Sequence, residues 1–439
     1  MLKINPKTYF QRHENEIYRF INNEPNWIHI VNKKNSYKNY TELSENLVEI
    51  DVELDTIEQL QVLRDDKLDL IIITDVFEVT NDIYGLLTYL EGLLNNKGKI
   101  IVCSINPKWN FFLKIFESLK IKQSSRARSY IHHKKVYSIA ESSGFELTTA
   151  FTRQIFPFKL FSFGDFINNL LEILFFKFNL GINNYLILRK KNNNCEKESK
   201  TIIVPAKNEE KNLEPLILRI PKFDTDYEII IVCGKSSDRT LEEAERISEE
   251  FKDIDIKVIN QQSKGKGPGV IEAINLSSYD LITILDSDIS VDPETLLDFF
   301  RIIENGEADF VNGTRFVYKM EEGAMRKLNS FGNLFFQFFI SIVIKKKLTD
   351  SLCGTKVFKR KTIKSLYGWS DSLKIKDPFG DFNFIFSAAY SGEKILEYPV
   401  HYKARVYGDT QISRFSDGLR LFFYFINSFL IFNSSRNER

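Results

Sequence analysis

An α/β chain in two parts is what this sequence predicts, on three observations. Short apolar runs rich in Ile and Val alternate with segments long enough for helices, first around residues 68–103 and again from residue 201 onward. A polar, Asn- and Lys-rich stretch at 191–200 separates the two sets. The 439 residues suffice for two cores, and 43 % hydrophobic with 27 % charged residues excludes a disordered or collagen-like chain.

In order along the chain, WIHIVN at 27–32 is the candidate first strand and LDLIIIT at 68–74 a further one. A helix across Tyr84–Leu94 and the strand KIIVC at 99–103 complete a strand–helix–strand unit, so residues 1–190 form one α/β domain and 191–200 a linker. The second part, 201–416, places strands at Thr201–Pro205, Glu228–Cys233, Asp255–Asn260 and Asp280–Leu285. Asp292–Pro293 then opens a helix whose Leu296, Leu297 and Phe300 face the sheet.

Phe is abundant, 38 residues, and concentrates at 155–180, at 331–344 before Lys345, Lys346 and Lys347, and at 421–432. No apolar stretch reaches 18 residues, so an aromatic face beside lysines fits a helix at the headgroup level of a bilayer, and packing between domains is the alternative. The expected location is the cytoplasmic face of a membrane, peripheral or monotopic, with residues 417–439 as an apolar membrane-associating end. Sixty Lys and Arg against 59 Asp and Glu, net +1, argue against a nucleic-acid partner. Four dispersed cysteines make no disulfide framework. Cys233 and Cys353 read as buried small side chains.

The most informative piece is LITILDSDISVDPETLLDFF, 281–300. A strand delivers Asp286 and Asp288 at its carboxyl end, on one face, where two carboxylates can share Mg²⁺ or Mn²⁺ and neutralise a diphosphate. Polar loops after the other strands, at Pro205–Asn212, Cys233–Thr240 and Lys264–Gly269, gather over the same edge, with Lys266 and the amide of Gly267 within reach of phosphate. The Walker pattern and an early GxGxxG are both absent, so a nucleoside diphosphate fits better than ATP hydrolysis.

These residues carry a specific resemblance. VPAKNEEKN, VCGKSSDRT, GKGKGPG, LDSD, NGTR at 312–315, NSFGN at 329–333, DSLCGTKVF at 350–358, DPFGDFN at 377–383 and YGDTQISR at 407–414 resemble the family 2 glycosyltransferases of the GT-A fold, closest to the polyprenyl- or dolichyl-phosphate sugar transferase branch. The resemblance implies a nucleotide-sugar donor, a polyprenyl-phosphate or lipid-linked acceptor at the membrane, and inversion at the anomeric carbon. It implies that Asp286 and Asp288 form the metal-binding DxD and that Pro205, Asn208, Glu209 and Asp238 line the nucleotide pocket. It implies a carboxylate near the acceptor at Asp381, acting as base or holding structure. Arg405 and Arg414 are its candidates for holding a lipid phosphate or the departing diphosphate. Cys233–Gly234 stands where that branch usually has two aspartates, and Ser290 where some members carry Gln, which leaves the base and sugar of the donor open. A non-catalytic assembly protein built on this fold is the alternative.

Residues 68–150 resemble the latter part of a class I S-adenosylmethionine-dependent methyltransferase, in LDLIIITDVFEV, LEGLLNNKGKIIV and HKKVYSIAESSGFEL. The glycine-rich turn such an enzyme needs after its first strand is missing: KKNSYKNY follows WIHIVN, and no glycine precedes Gly85. The resemblance therefore implies a degenerate Rossmann-like domain that does not use S-adenosylmethionine. The alternative is a live methyltransferase alongside the glycosyltransferase, with Asp75 and Glu78 as its acidic candidates and His132 and His133 able to meet a phosphate.

Overall fold

The computed structural model describes residues 13–14, 16–17, 19–21, 24–32, 46–50, 56–60, 67–80, 82–118, 133–156, 163–175, 178–191, 197–321, 327–362, 377, 380–405, 407 and 414–433. The expected loop KKNSYKNY, His132 and much of YGDTQISR lie outside them. The chain divides into two compact units, Met1–Asn192 with Asn433–Arg439, and Asn193–Phe432. Both are α/β.

The first unit holds strands β1 (Trp27–Asn32), β2 (Leu47–Ile50), β3 (Leu68–Thr74), β4 (Leu94–Ile105), β5 (Phe145–Arg153) and β6 (Asn183–Lys190). Its helices are α1 (Thr56–Leu60), α2 (Ile83–Leu93), α3 (Asn110–Ser118), α4 (His133–Ser142) and α5 (Phe163–Leu174). The sheet order is β2-β1-β3-β4-β6-β5. β1, β2, β3 and β4 run parallel, while β6 is antiparallel to both of its neighbours. Ile and Leu of β3, β4 and β6 are buried on both faces, as continuous apolar runs in a covered parallel sheet must be. Asp82 caps α2 by accepting from the Gly85 amide at 2.8 Å.

The second unit holds β7 (Lys200–Ala206), β8 (Tyr227–Cys233), β9 (Asp255–Asn260), β10 (Leu281–Ile284), β11 (Phe310–Thr314), β12 (Lys356–Lys359) and β13 (Ile395–Pro399). Its helices are α6 (Leu213–Arg219), α7 (Thr240–Glu250), α8 (Lys266–Leu276), α9 (Leu296–Glu304), α10 (Lys327–Ile344), α11 (Asp381–Tyr390) and α12 (Arg414–Asn433). The order β13-β11-β12-β10-β7-β8-β9 puts four parallel strands, β10, β7, β8 and β9, side by side, so their carboxyl ends share one edge. β12 enters antiparallel between β10 and β11. Alternate strand residues face opposite ways. Ile203, Ile230 and Ile284 pack with α8, α10, α11 and α12; Ile202, Val204 and Ile231 pack with α6, α7 and α9.

Two expectations are corrected here. In α9 the sheet-facing set is Leu296, Phe299 and Phe300, while Leu297 points to solvent, because at 100° per residue it falls on the polar face between Arg301 and Glu304. β10 ends at Ile284, so strand alternation does not place Asp286 and Asp288; both sit on the loop beyond it.

The Phe-rich segments divide their residues. In α10 and α12, Phe336, Ile340, Tyr424 and Phe425 enter the core, and Phe339 packs at a 57° tilt against Phe425 with ring centres 5.1 Å apart. Phe335, Phe338, Leu419, Phe423 and Leu430 remain exposed. Among the described residues no helix is long and apolar enough to cross a membrane.

Candidate active site

The loops at the carboxyl edge of β7, β8 and β10 are laced together. Asn208 adopts φ +58°, a conformation Asn tolerates, and its side-chain oxygen accepts from the Ser237 amide at 2.7 Å. Its own amide donates to Ser236 Oγ at 3.1 Å. Asp238 accepts from the amides of Glu210 (3.2 Å) and Thr240 (3.1 Å), and the Glu209 amide donates to Thr240 Oγ1 at 3.0 Å. Ser287 Oγ donates to the Pro205 carbonyl at 2.9 Å, which ties the DSD loop to the first strand of this sheet. Pro205, Asn208, Glu209 and Asp238 thus sit along one margin, though Asp238 has both oxygens engaged in holding the loops.

Asp286 and Asp288 occupy the centre of this edge, each facing a cation. Lys266 Nζ lies 2.5 Å from Asp286 Oδ1, and Arg405 Nη2 lies 2.8 Å from Asp288 Oδ2. Burial alone pushes the Asp286 carboxyl up, but Lys266, with Lys356 and Arg405 behind it, holds it below the ordinary carboxylate range. Burial likewise works against the Lys266 ammonium, and the charges of Asp286 and Asp381 outweigh it and raise its pKa. Burial, resisted by the Asn212 hydrogen bond and assisted by Asp288, pushes Glu209 up to about 7. Glu209 receives the Asn212 amide at 2.5 Å and is nearly closed to solvent.

Backbone geometry presents these groups. Ile289 follows Asp288 at φ +53°, an outlier for a β-branched residue, and the turn lets Asp288 Oδ1 accept from the Ser290 amide at 3.0 Å. The Ser290 carbonyl accepts from the Lys403 amide at 2.9 Å, and Val291 bridges to Tyr402, which carries Arg405 up to Asp288. Gly265 at φ +104° precedes α8, so Lys266 and Gly267 form the first turn of that helix.

Beneath lies a buried frame that the sequence reading quoted only as separate motifs. Asp350 accepts from Arg315 Nε at 2.6 Å and Nη2 at 2.8 Å, and from Asn333 Nδ2 at 3.1 Å. NGTR, NSFGN and DSLCG therefore meet at one carboxylate. The frame fixes the loop that carries Gly354, and a Cβ there would lie 2.6 Å from Asp286 Cγ, so only glycine leaves room for that carboxylate. Spacing offered no signal for this, because Arg315 and Asp350 are far apart in sequence.

On the far side, Lys356 is fully buried and its Nζ lies 2.6 Å from Asp381 Oδ1. Asp381 opens α11, but capping falls to Asp377, whose Oδ2 accepts from the amides of Phe382 (2.8 Å) and Asn383 (3.1 Å). Gly380 at φ +84° sets the start of α11 against Gly267. Arg414 is the first residue of α12; its side chain is outside the described residues. Cys103, Cys233 and Cys353 are buried, and burial pushes the thiols of Cys233 and Cys353 up to about 12, the opposite of an activated nucleophile.

No three His, Cys, Asp or Glu side chains among the described residues group to hold a metal alone. Two carboxylates at one strand end still fit Mg²⁺ or Mn²⁺ in a shell completed by substrate phosphate and water, the usual manner of binding for Mg²⁺ at phosphate sites.

Comparison with known proteins bears on this edge. Residues 201–367 match the model described as glycosyl transferase family 2. A dolichol-phosphate mannosyltransferase of Pyrococcus furiosus is 27 % identical over 220 residues, which cover 48 % of this chain and 58 % of that protein. The matched region thus spans less than two thirds of that relative. A dolichyl-phosphate hexose transferase of Haloferax volcanii is 25 % identical over 218 residues, covering 49 % of this chain and 88 % of that one. A glucosyl-3-phosphoglycerate synthase of Mycobacterium tuberculosis, solved with Mn²⁺, UDP and phosphoglyceric acid, aligns with a TM-score of 0.40 at 15 % identity, over 53 % of this chain and 78 % of that one. The second unit therefore carries a family 2-like glycosyltransferase domain, distantly related to dolichyl-phosphate sugar transferases.

Proposed function

We propose that the chain transfers a sugar, with inversion, from a nucleoside-diphosphate sugar to a polyprenyl or dolichyl phosphate, or a lipid-linked glycan, at a membrane surface. The observation that carries the reading is the meeting of Asp286, Asp288, Lys266 and Arg405 at the carboxyl edge of the parallel strands, inside the region that matches the family model. Asp286 and Asp288 would hold Mg²⁺ or Mn²⁺, which supplies Lewis-acid neutralisation of the donor diphosphate. Pro205, Asn208, Glu209 and Asp238 would line the nucleoside side, with Lys266 and the Gly267 amide as the candidates for the donor phosphate.

Charge builds on the departing diphosphate as the anomeric carbon is attacked from the opposite face. Lys266 and Arg405 meet that charge, with Arg414 as the further basic residue for diphosphate or acceptor phosphate. A hydroxyl acceptor must lose a proton, and Asp381, paired with Lys356, is our candidate to take it; an ionised lipid phosphate needs no base. Exposed Phe338 and Phe423 on α10 and α12, with Lys345–Lys347 after α10, support a peripheral or monotopic contact with the cytoplasmic leaflet.

For the first unit we infer a methyltransferase-like scaffold without S-adenosylmethionine. The order β2-β1-β3-β4-β6-β5, with the antiparallel β6 wedged inside the edge pair, supports the fold, and the absence of glycine before Gly85 supports the loss of the cofactor.

The test is a donor screen on detergent-solubilised full chain with UDP-, GDP- and dTDP-sugars, Mn²⁺ or Mg²⁺, and a short polyprenyl phosphate. Metal-dependent release of one nucleoside diphosphate with a lipid-soluble sugar product, lost in D286A/D288A, is expected. No release and no nucleotide or metal binding by calorimetry would leave the non-catalytic assembly reading.

A further inference from the structure

Helix α5 is built inside out. Its inward face is polar: Glu172 accepts from Arg153 Nη1 at 2.8 Å, the Gln154 amide at 2.8 Å and Asn168 Nδ2 at 3.0 Å, while Asn168 Oδ1 accepts from the Phe156 amide at 3.0 Å. Its outward face carries Phe163, Phe166, Leu170 and Leu174, spaced as one helical stripe and exposed by 69, 67, 44 and 61 %. An ordinary surface helix turns its apolar stripe to the core, so the reversed arrangement needs an apolar medium outside.

Helix α3 extends this face. Trp109 Nε1 donates to the Leu180 carbonyl at 2.6 Å and Lys108 Nζ to the Phe178 carbonyl at 2.5 Å, which pins the start of α3 to the chain leaving α5. Phe111 and Phe112 then project outward, as does Phe178 beside them. The sequence from Lys108 to Ala140, which includes α3, holds eight Lys or Arg and one acid, Glu117, and Lys108 and Lys114 at α3 are exposed.

We propose that the α3–α5 face is a bilayer-docking surface, seating its Phe and Leu side chains among the acyl chains of an anionic membrane while the flanking basic residues meet lipid phosphates. Aromatic and aliphatic stripes with adjoining Lys and Arg are the chemistry an anionic interface takes up, and a protein partner of this apolar face would not call for the surplus of positive charge. Neither helix reaches 18 residues, so the contact lies in the plane of the interface. The inference rests on the membrane-surface part of the proposed function and is independent of the transfer chemistry.

The experiment is co-sedimentation of the full chain with phosphatidylcholine vesicles with or without about 30 mol % phosphatidylglycerol. Wild type should bind the anionic vesicles, weaken with salt, and lose at least about tenfold in partitioning in Phe163→Ser/Phe166→Ser/Leu170→Ser. These positions face outward, so thermal unfolding should be unchanged. A second measurement requires no change to the face: with W27F and W369F, Trp109 is the remaining indole, and its emission should shift blue and be quenched by brominated lipid. If the triple variant binds as wild type and only Leu419→Ser/Phe423→Ser on α12 releases the protein, the α3–α5 proposal is overturned and membrane contact through the second unit stands. If wild type ignores vesicles, or self-associates through this face and the triple variant becomes monomeric, the proposal is overturned as well.

Discussion

Gly354→Ala is the sharpest probe of the site. The added Cβ would overlap Asp286 Oδ2 most deeply, with Cγ at 2.6 Å and Oδ1 at 2.7 Å, against an ordinary contact of about 3.5–4.0 Å, so the carboxylate must move by more than about 1 Å. Asp286 is the far end of a short side chain, and its rotation breaks the pair with Lys266 rather than the backbone. A 1 Å misplacement at a reacting centre costs up to about 100-fold, whereas moving one partly exposed side chain costs at most about 1–2 kcal/mol of stability. The expected result is intact folding with affinity for Mn²⁺ and the nucleoside diphosphate that the donor screen selects down at least about tenfold by calorimetry, roughly 1.4 kcal/mol, and donor turnover down by more. Wild-type affinity and turnover in Gly354→Ala would refute the claim that the Asp350 frame places the Asp286 carboxylate.

Other outcomes follow from the same geometry. Asp350→Ala leaves Arg315 buried and unpaired, so chemical unfolding should show a loss of about 3–5 kcal/mol, and a change below about 1 kcal/mol would contradict the frame. Burial pushes the Asp350 carboxyl up, and Arg315 more than offsets this and holds it below the ordinary range. Its stabilisation is therefore present above about pH 4 and lost as pH falls through the depressed folded value, a loss that Asp350→Asn should lack in acid titrations of stability. Asp377→Ala removes the acceptor of two amide hydrogen bonds at the start of α11 and should cost about 1 kcal/mol in thermal unfolding, while Asp381→Ala should leave those capping bonds untouched. Asp288→Asn should abolish metal-dependent nucleotide binding with little change in unfolding, and retained binding would remove it from the metal site.

Much of the fold was legible because parallel strands announce themselves. LDLIIIT and EIIIVC each hold an unbroken apolar run next to a polar loop, and β3 and β8 fall on them. Parallel pairing then brings the loops after β7, β8 and β10 to one edge without knowledge of any contact. Helix faces were less legible: Leu297 and Phe299 are both apolar, and it is the position of Leu297 between Arg301 and Glu304 on the helix surface that leaves it exposed. The Asp350 frame was out of reach for a different reason. Its members, Arg315, Asn333 and Asp350, are polar residues on separate elements, and polar residues carry no periodic signal of burial. Helix α5 hid its orientation too, since an amphipathic stripe shows that two faces differ without showing which one meets the core.

Gly267 and Gly380 meet with no side chain between them: a Cβ on Gly380 would stand 2.8 Å from Gly267 Cα. Side chains cushion most joints between helices, because a rotamer can absorb a few tenths of an ångström of sliding. Here main chain bears on main chain. A shift of the first turn of α8 must pass undamped to the first turn of α11, like one cog tooth pushing the next. Lys266 and Asp381 ride on those two turns, so the sides of the edge proposed for phosphate and for acceptor are geared to each other, and neither can settle into a new position alone.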